Sequence, residues 1–342
     1  MKLTSVFAIV RTCLLPGALL TLTMMPVNAA LPTRCLDIHI SNPSAPDGTY
    51  WIFPNNQAFK VYCQGMATTS PMEYLTLVNT APGSNFSQYT AGGASGGSNV
   101  DTAYTKVRLD PNSLLVNNGD ETFSTSTGSL NHGGGGEIVT SMPYATAMDC
   151  VGSGTPTGVA NIDLTGTPFF VTSSFFPGGF VPSGSATFSS ANQVVNLLGG
   201  GFCGWESSDP TAFNPFNKIG GFTLQLGYNG LIAPISIKPG SNPPPINIGG
   251  NGVIPVAILS TNTFDATQVD PSKVTFGENG TEASPVSSTL EDVNGDGKLD
   301  LVLQFQTQQS GFHCGDTAAL MKIFTFSNQQ YLGFQGIQTI CH

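Results

Sequence analysis

Asp292, Asn294, Asp296 and Asp300 take the first, third, fifth and ninth places of the run DVNGDGKLD, each with a side-chain oxygen to offer. Calcium takes roughly six to eight hard oxygen ligands, and alternate side chains of a tightly coiled loop can converge on one such ion. Gly297 in the sixth place permits the sharp turn, and Lys298 in the seventh would contribute only its backbone carbonyl. The twelfth place, where an EF-hand puts a bidentate Glu, holds Leu303. The loop runs straight into the apolar stretch Leu299 to Phe305. The expectation is one structural Ca²⁺ at the entry to a strand, not a helix–loop–helix hand.

Other candidate chemistry is sparser. Glu73, Glu137, Asp149 and Glu206 could supply the pair of carboxylates that glycoside hydrolysis sets about 5 to 10 Å apart across a cleft. The spacing along the chain does not fix that distance, so the four read by default as scattered carboxylates. Gly93 to Gly97 matches G-x-S-x-G, but a nucleophile elbow joins a strand to a helix, and this match lies in a Gly/Ser stretch. The histidines, His39, His132, His313 and His342, include no i, i+4 pair, and H-E-x-x-H is absent. A zinc hydrolase site would have to be assembled by tertiary folding, and zinc is not expected. Phe175, Phe176, Phe180, Phe213 and Phe216 lie among Pro and Gly and read as core anchors, with an aromatic binding surface as the alternative.

These groups must be placed by an exported chain. Lys2 and Arg11 precede the apolar stretch Cys13 to Val27, which is broken by Pro16 and Gly17 and followed by Val27-Asn28-Ala29, a small-x-small cleavage pattern. Residues 1–30 therefore read as a signal peptide, with the mature chain starting at Ala30 or Leu31. The stretch is short for a bilayer span, and no span is expected after its removal. Cys13 leaves with it, and six cysteines remain. An even number in an exported chain implies disulfides, and among the possible pairings the sequence-adjacent one joins Cys35 with Cys63, Cys150 with Cys203, and Cys314 with Cys341. No C-x-x-C spacing suggests thiolate-bound metal. The net charge of −10 argues against nucleic acid and anionic membranes as partners.

Only 9% of the 342 residues are charged, while 41 glycines and 24 prolines punctuate a 40% apolar chain, which points to short strands and loops around real cores. Alternation marks strands at Gly48 to Phe53, Ala58 to Cys63, Tyr74 to Val78, Lys106 to Leu109, Val159 to Leu164, Thr167 to Ser173, Gln193 to Leu198 and Gly221 to Leu226. Asn79 to Asn99, Gly128 to Gly136 and Val151 to Gly158 read as surface loops. Pro46-Asp47-Gly48 supplies turn chemistry for an opening hairpin in which Cys35 meets Cys63 across paired strands. Six prolines between Ile232 and Pro255 change the texture, and further strands follow at Val253 to Leu259, Lys273 to Phe276, Leu299 to Phe305 and Lys322 to Phe326. The expectation is an all-β chain of two disulfide-stabilised, sandwich-like domains, 31–228 and 229–342.

The run CLDIHISNPSAPDGTYWIFPNNQAFKVYCQGMATTSPMEYLTL from Cys35 resembles the GON domain, an accessory module of secreted thrombospondin-motif metalloproteases. The resemblance continues through TKVRLDPNSL at Thr105, MPYATAMDC at Met142, NIDLTGTPF at Asn161 and GGFCG at Gly200. The opening hairpin alone is also similar to fibrinogen-like domains. The resemblance implies a non-catalytic module whose associated zinc lies elsewhere in those enzymes. A metallopeptidase or zinc-binding role here would come only from the family name. SIKPGS at Ser236, GVIPVAILSTNTFDA at Gly252, VDPSKVTFG at Val269 and CGDT at Cys314 resemble a C-terminal module recurrent in secreted bacterial proteins, and the acidic run looks like the calcium loops of integrin-type extracellular β repeats. Together these readings imply a secreted bacterial protein, extracellular, periplasmic or at the cell surface. It would present Gly/Ser loops of its first domain to an extracellular protein or glycan and bind rather than catalyse. A secreted hydrolase of glycan or protein is the alternative.

Overall fold

The computed structural model describes residues 30–90, 97–132, 137–150, 155–208 and 223–341. The expected leader lies outside them except for Ala30, as do Ser95, Phe213, Phe216 and His342. The fold is all-β. A seven-stranded sheet runs in the spatial order Gly48–Ile52, Phe59–Gln64, Met72–Thr76, Lys106–Asp110, Leu115–Asn117, Thr223–Tyr228 and Phe169–Val171. A second sheet runs Phe176–Gly179, Gly204–Ser207, Thr146–Asp149, Phe86–Thr90, Gly158–Asp163, Val194–Gly201 and Pro182–Ser189. Gly97–Tyr104, Ser124–His132 and Glu137–Val139 extend it from Phe86–Thr90.

Period-two alternation explains how the two sheets share one core. In Phe59–Gln64 the buried positions are Phe59, Val61 and Cys63, while Lys60 turns outward. These side chains join Leu75, Val107, Leu109, Leu224 and Leu226 of the same sheet and meet Ala147, Ala160, Ile162, Val195 and Leu197 of the other.

From Ala233 onward a separate core forms. Strands Ile235–Ile237, Val253–Ile258, Asp300–Gln306 and Pro285–Glu291 make one sheet, and Thr275–Gly277, Ala318–Phe324 and Gln330–Gly336 another. Ile254, Val256, Leu303, Phe305, Phe276, Met321 and Ile323 fill the space between. Pro245–Asn247, which follows the proline triplet, pairs in parallel with Gln338–Ile340. A small cluster links the two halves: Phe53 and Ala58 pack with Leu320, and the Phe53 and Phe334 rings lie 4.9 Å apart. The disulfides are Cys35–Cys63, Cys150–Cys203 and Cys314–Cys341.

Four expectations need correction. The Asn79 to Asn99 stretch is not a surface loop: Phe86–Thr90 is an interior strand of the second sheet, with Ser87 and Tyr89 fully buried. The Gly128 to Gly136 stretch is likewise strand as far as His132, paired with Gly97–Tyr104 and anchored by the buried Leu130. Both runs are rich in Ser, Thr and Gly, so ladder hydrogen bonds and a few buried apolar anchors, Tyr89 and Leu130 among them, hold them in the sheet where alternation is weak. Cys35 does not lie on a hairpin strand; it opens the two-turn helix Cys35–Ser41. Asp37 caps that helix, accepting from the N–H of Thr33 at 2.7 Å and of Arg34 at 3.2 Å. The hairpin pairs Gly48 with Cys63, but its turn is Pro54–Asn56, where Asn55 and Asn56 adopt left-handed backbone (φ 51° and 58°). Asp47 instead accepts the Met66 N–H at 2.7 Å. Phe176 and Phe180 are 40% and 64% exposed rather than core, because Phe176–Gly179 is the sheet's edge strand; Phe175 does pack against the core.

Candidate functional site

The acidic loop is coiled as its glycines allow, with φ of +76° at Gly295 and +84° at Gly297. Asp292 accepts the N–H groups of Gly295 (2.8 Å) and Asp296 (3.1 Å) on one oxygen and of Gly297 (2.9 Å) on the other. Asn294 accepts the Asp296 N–H at 3.0 Å, and Asp296 accepts that of Lys298 at 2.9 Å with the Lys298 ammonium 3.4 Å away. Asp300 opens the following strand and is fully buried. Its oxygens accept the N–H groups of Ser260 at 2.8 Å and Val293 at 3.1 Å. The structure keeps these four side chains on one loop but does not gather three of its carboxylates within 4.8 Å of one another. The donor set is nonetheless hard oxygen throughout, and the oxygens that accept a single N–H, Oδ2 of Asp292 and both of Asp300, keep a further lone pair for a cation, whereas Oδ1 of Asp292 already accepts two. The residues present fit Ca²⁺.

The four carboxylates considered for hydrolysis have separate environments. Glu73 accepts the Cys35 N–H at 2.7 Å, and burial raises its pKa. Glu137 is exposed opposite His132. Asp149 is fully buried and accepts from the Thr157 N–H (2.5 Å), the Thr157 hydroxyl (2.8 Å) and the Gly201 N–H (2.9 Å). Glu206 is 2% exposed, pairs with Ala147 across the ladder, and therefore shares the inner face of the sheet with Asp149. Its Oε2 is buried without a partner. A Cβ on Gly184 would fall 2.3 Å from that oxygen, and one on Gly199 would fall 2.8 Å from the Glu206 Cβ. Only glycines admit the carboxyl here. With water excluded, its pKa is pushed up to about 7.

The histidines disperse among the described residues. Nδ1 of His39 is buried without a partner, and His132 lies beside Cys150 and Cys203, whose sulfurs are bonded to each other. His313 is 3.3 Å from Glu278, and Asp316 joins them. Sequence spacing could not have shown that grouping.

A cleft of about 670 Å³ opens on the outer face of the first sheet, against the second half. Its floor is Thr49 and Trp51, Phe59 and Lys60, and Leu75, Thr76 and Val78. Gly166 to Phe169 and Tyr228 to Leu231 form one wall, and Gln329 to Leu332 the other. Trp51 and Lys60 are cross-strand partners, and the ammonium sits 5.2 Å from the ring centroid. Tyr228 donates its hydroxyl to the Ala58 carbonyl at 2.9 Å, which fixes it in the wall. Lys60 is the one charged side chain of this lining, which has no carboxylate, imidazole or thiol. None of these residues stands out in the sequence. The available signal was the outward-facing Thr49 and Trp51 on a strand whose inward face carries the core.

Residues 32–95 and 94–212, just over half the chain, match the GON domain family. The chain belongs to that family. It is 27% identical over 198 residues to the human protein "A disintegrin and metalloproteinase with thrombospondin motifs 20", covering 50% of this chain and 10% of the relative. It is 26% identical over 204 residues to the Caenorhabditis elegans protein "A disintegrin and metalloproteinase with thrombospondin motifs gon-1", covering 51% and 9%. The chain thus spans about a tenth of the length of these relatives. Among solved structures, the Yersinia pseudotuberculosis adhesin InvE aligns over 77% of this chain and 58% of its own at 11% identity, with a TM-score of 0.15, which carries no inference. The GON match contains the cleft floor, Asp149 and Glu206; the wall at Gln329 to Leu332 and the acidic loop fall outside it. Among the described residues no helix is long and apolar enough to cross a membrane.

Proposed function

We propose that this chain is a secreted bacterial binding protein in which a GON module and a calcium-stabilised β module, divided near Asn229, hold an extracellular ligand without transforming it. The observation that carries this reading is the cleft lining. It offers aromatic faces, amides, hydroxyls and one ammonium, but no pair of groups for general acid and base catalysis. The hydrolase alternative has less support, since Asp149 is occupied by Thr157 and Gly201 and Glu206 is enclosed by glycines. Export is supported by the three disulfides and the leader-like run before Ala30. A metallopeptidase role has no support beyond the relatives' names.

The mature chain, probed on an array of glycans and matrix proteins, should be retained by one ligand class and release no reducing ends or peptides from it. Turnover that disappears in Asp149→Asn or Glu206→Gln would replace this reading with the hydrolase.

The calcium proposal has its own measurement. Without the bidentate Glu of an EF-hand, the loop should bind with a Kd of roughly 10⁻⁵ to 10⁻³ M. At about 100 Kd of calcium, binding stabilises the fold by about 2.7 kcal/mol. Thermal unfolding in calcium should therefore occur at higher temperature than in chelator, and Asp296→Ala should remove the difference. Equal melting temperatures for the unmutated chain would reduce the loop to an ordinary Asp/Asn/Gly turn.

A further inference from the structure

We propose that Glu278, His313 and Asp316 form a site for one divalent transition ion of the Zn²⁺ class, separate from the cleft and from the acidic loop. The expectation that zinc is absent rested on spacing along the chain, and these three groups meet only in the fold. The site lies outside the GON match and owes nothing to the relatives' names.

One imidazole nitrogen and one oxygen from each carboxylate lie within 4.8 Å of one another. Nδ1 of His313 is 3.3 Å from a Glu278 carboxylate oxygen. Zinc bonds of about 2.0 to 2.2 Å at a tetrahedral angle put neighbouring donors roughly 3.3 to 3.6 Å apart. An ion can therefore enter with little movement of that pair. The imidazole decides the class of ion, because Ca²⁺ and Mg²⁺ take oxygen ligands whereas nitrogen with carboxylate suits Zn²⁺ and its neighbours. Three protein donors leave a further coordination position for water, and His313, with its side chain 77% exposed, opens that position to solvent.

Charge points the same way. Two carboxylates face one imidazole, and among the described residues neither carboxylate has a Lys or Arg ion-pair partner. A dication would offset both.

The donors are held by the module's core. Glu278 follows the strand Thr275–Gly277, and its N–H donates to the Ser310 carbonyl at 3.1 Å. His313 follows Phe312, whose ring lies 5.7 Å from that of Phe276 in the same core cluster. Asp316 accepts the His313 N–H at 2.7 Å and donates its own to the His313 carbonyl at 3.2 Å. Between them Cys314 is bonded to Cys341, and the Gly315 N–H donates to the Thr339 hydroxyl at 3.0 Å. Both segments are thus fixed before any ion arrives, which limits the ordering that binding would require.

The test titrates Zn²⁺ into the whole mature chain in millimolar Ca²⁺, which keeps the acidic loop supplied with its own ion, and reads binding by calorimetry. One Zn²⁺ should bind per chain and raise the melting temperature. His313→Gln and Glu278→Gln should each weaken binding by about 10- to 100-fold or more, since loss of an outer-shell partner alone costs that much. Both side chains are partly exposed, so both variants should melt close to the parent in chelator. Glu137→Gln, a carboxylate opposite another histidine, should bind zinc as the parent does. Variants at His313 and Glu278 that hold zinc as tightly as the parent would show an adventitious ion only and overturn the proposal. Zinc binding abolished by millimolar Ca²⁺ would overturn it as well, since an imidazole-containing site should prefer zinc.

Discussion

Glu206→Gln should flatten much of the dependence of this protein's stability on pH between about 4.5 and 7. The carboxyl is 2% exposed, its Oε2 has no partner, and its pKa is pushed up to about 7 from an ordinary value of 4.5 by desolvation. The described strands packed around it, Phe176–Gly179, Pro182–Ser189 and Val194–Gly201, contribute no ionisable side chain, and Thr146–Asp149 contributes only Asp149. The sign follows from proton binding. Between pH 4.5 and 7 the folded state holds a proton that the unfolded state has released, so stability falls as pH rises through that window. It is highest below about 4.5 with respect to this group and levels off above about 7. A shift of this size corresponds to about 3 kcal/mol. Glutamine has the same shape and does not titrate there. The difference in unfolding free energy between variant and parent should therefore grow by about 3 kcal/mol in the variant's favour between pH 4 and pH 8. Denaturant titrations at a series of pH values measure it. Parallel stability curves for the two proteins would show that the carboxyl finds solvent or a partner in solution.

Asn85→Ala should cost the fold about 4 kcal/mol, a figure set by the several buried groups it leaves unpaired. Asn85 is fully buried, and its amide makes four hydrogen bonds. Oδ1 accepts from the Tyr144 hydroxyl at 2.6 Å and the Asp163 N–H at 2.9 Å, while Nδ2 donates to the carbonyls of Asn79 and Asp163, both at 2.8 Å. Its backbone N–H is donated to Asn161 at 3.0 Å. Alanine would leave each side-chain partner unpaired in a largely buried site and would also have to adopt φ near 50°, a left-handed conformation that Asn tolerates better. Asn55 separates the two effects. It has φ 51° but is exposed, with a single side-chain hydrogen bond to Asn112. Asn55→Ala should cost about 1 kcal/mol, mainly the strain. Similar losses in the two variants, measured by urea unfolding, would mean that the buried network adds nothing.

The position of Asn85 also explains why part of the fold was hidden from the sequence. Side-chain alternation revealed Phe59–Gln64 and Val194–Gly201, where hydrophobic burial specifies the face. It failed at Phe86–Thr90, where an interior strand carries Ser, Gln and Thr. Such a strand is stable because neighbouring strands satisfy its polar groups, as Ser87 does by accepting the Thr146 N–H at 3.2 Å. Besides the nearby Gly97–Tyr104, its partners Thr146–Asp149 and Gly158–Asp163 come from segments more than fifty residues away, so no local window contains the whole of the information. Glu206 was similar: it was recognisable as a carboxyl, but its environment is made by Gly184 and Gly199 of two other strands.

By itself the sequence determined the all-β class, the GON resemblance, the cysteines available for pairing and the composition of the acidic loop. All of these rest on residue type and local spacing. Tertiary structure decided that Asp300 turns inward to Ser260, that Asp149 and Glu206 are enclosed, and that Lys60, Trp51 and Gln330 line one cleft. Those outcomes depend on which faces of distant strands meet. That is set by burial of two separate cores and by the small cluster of Phe53, Ala58 and Leu320 that brings the β module against the outer face of the GON sheet.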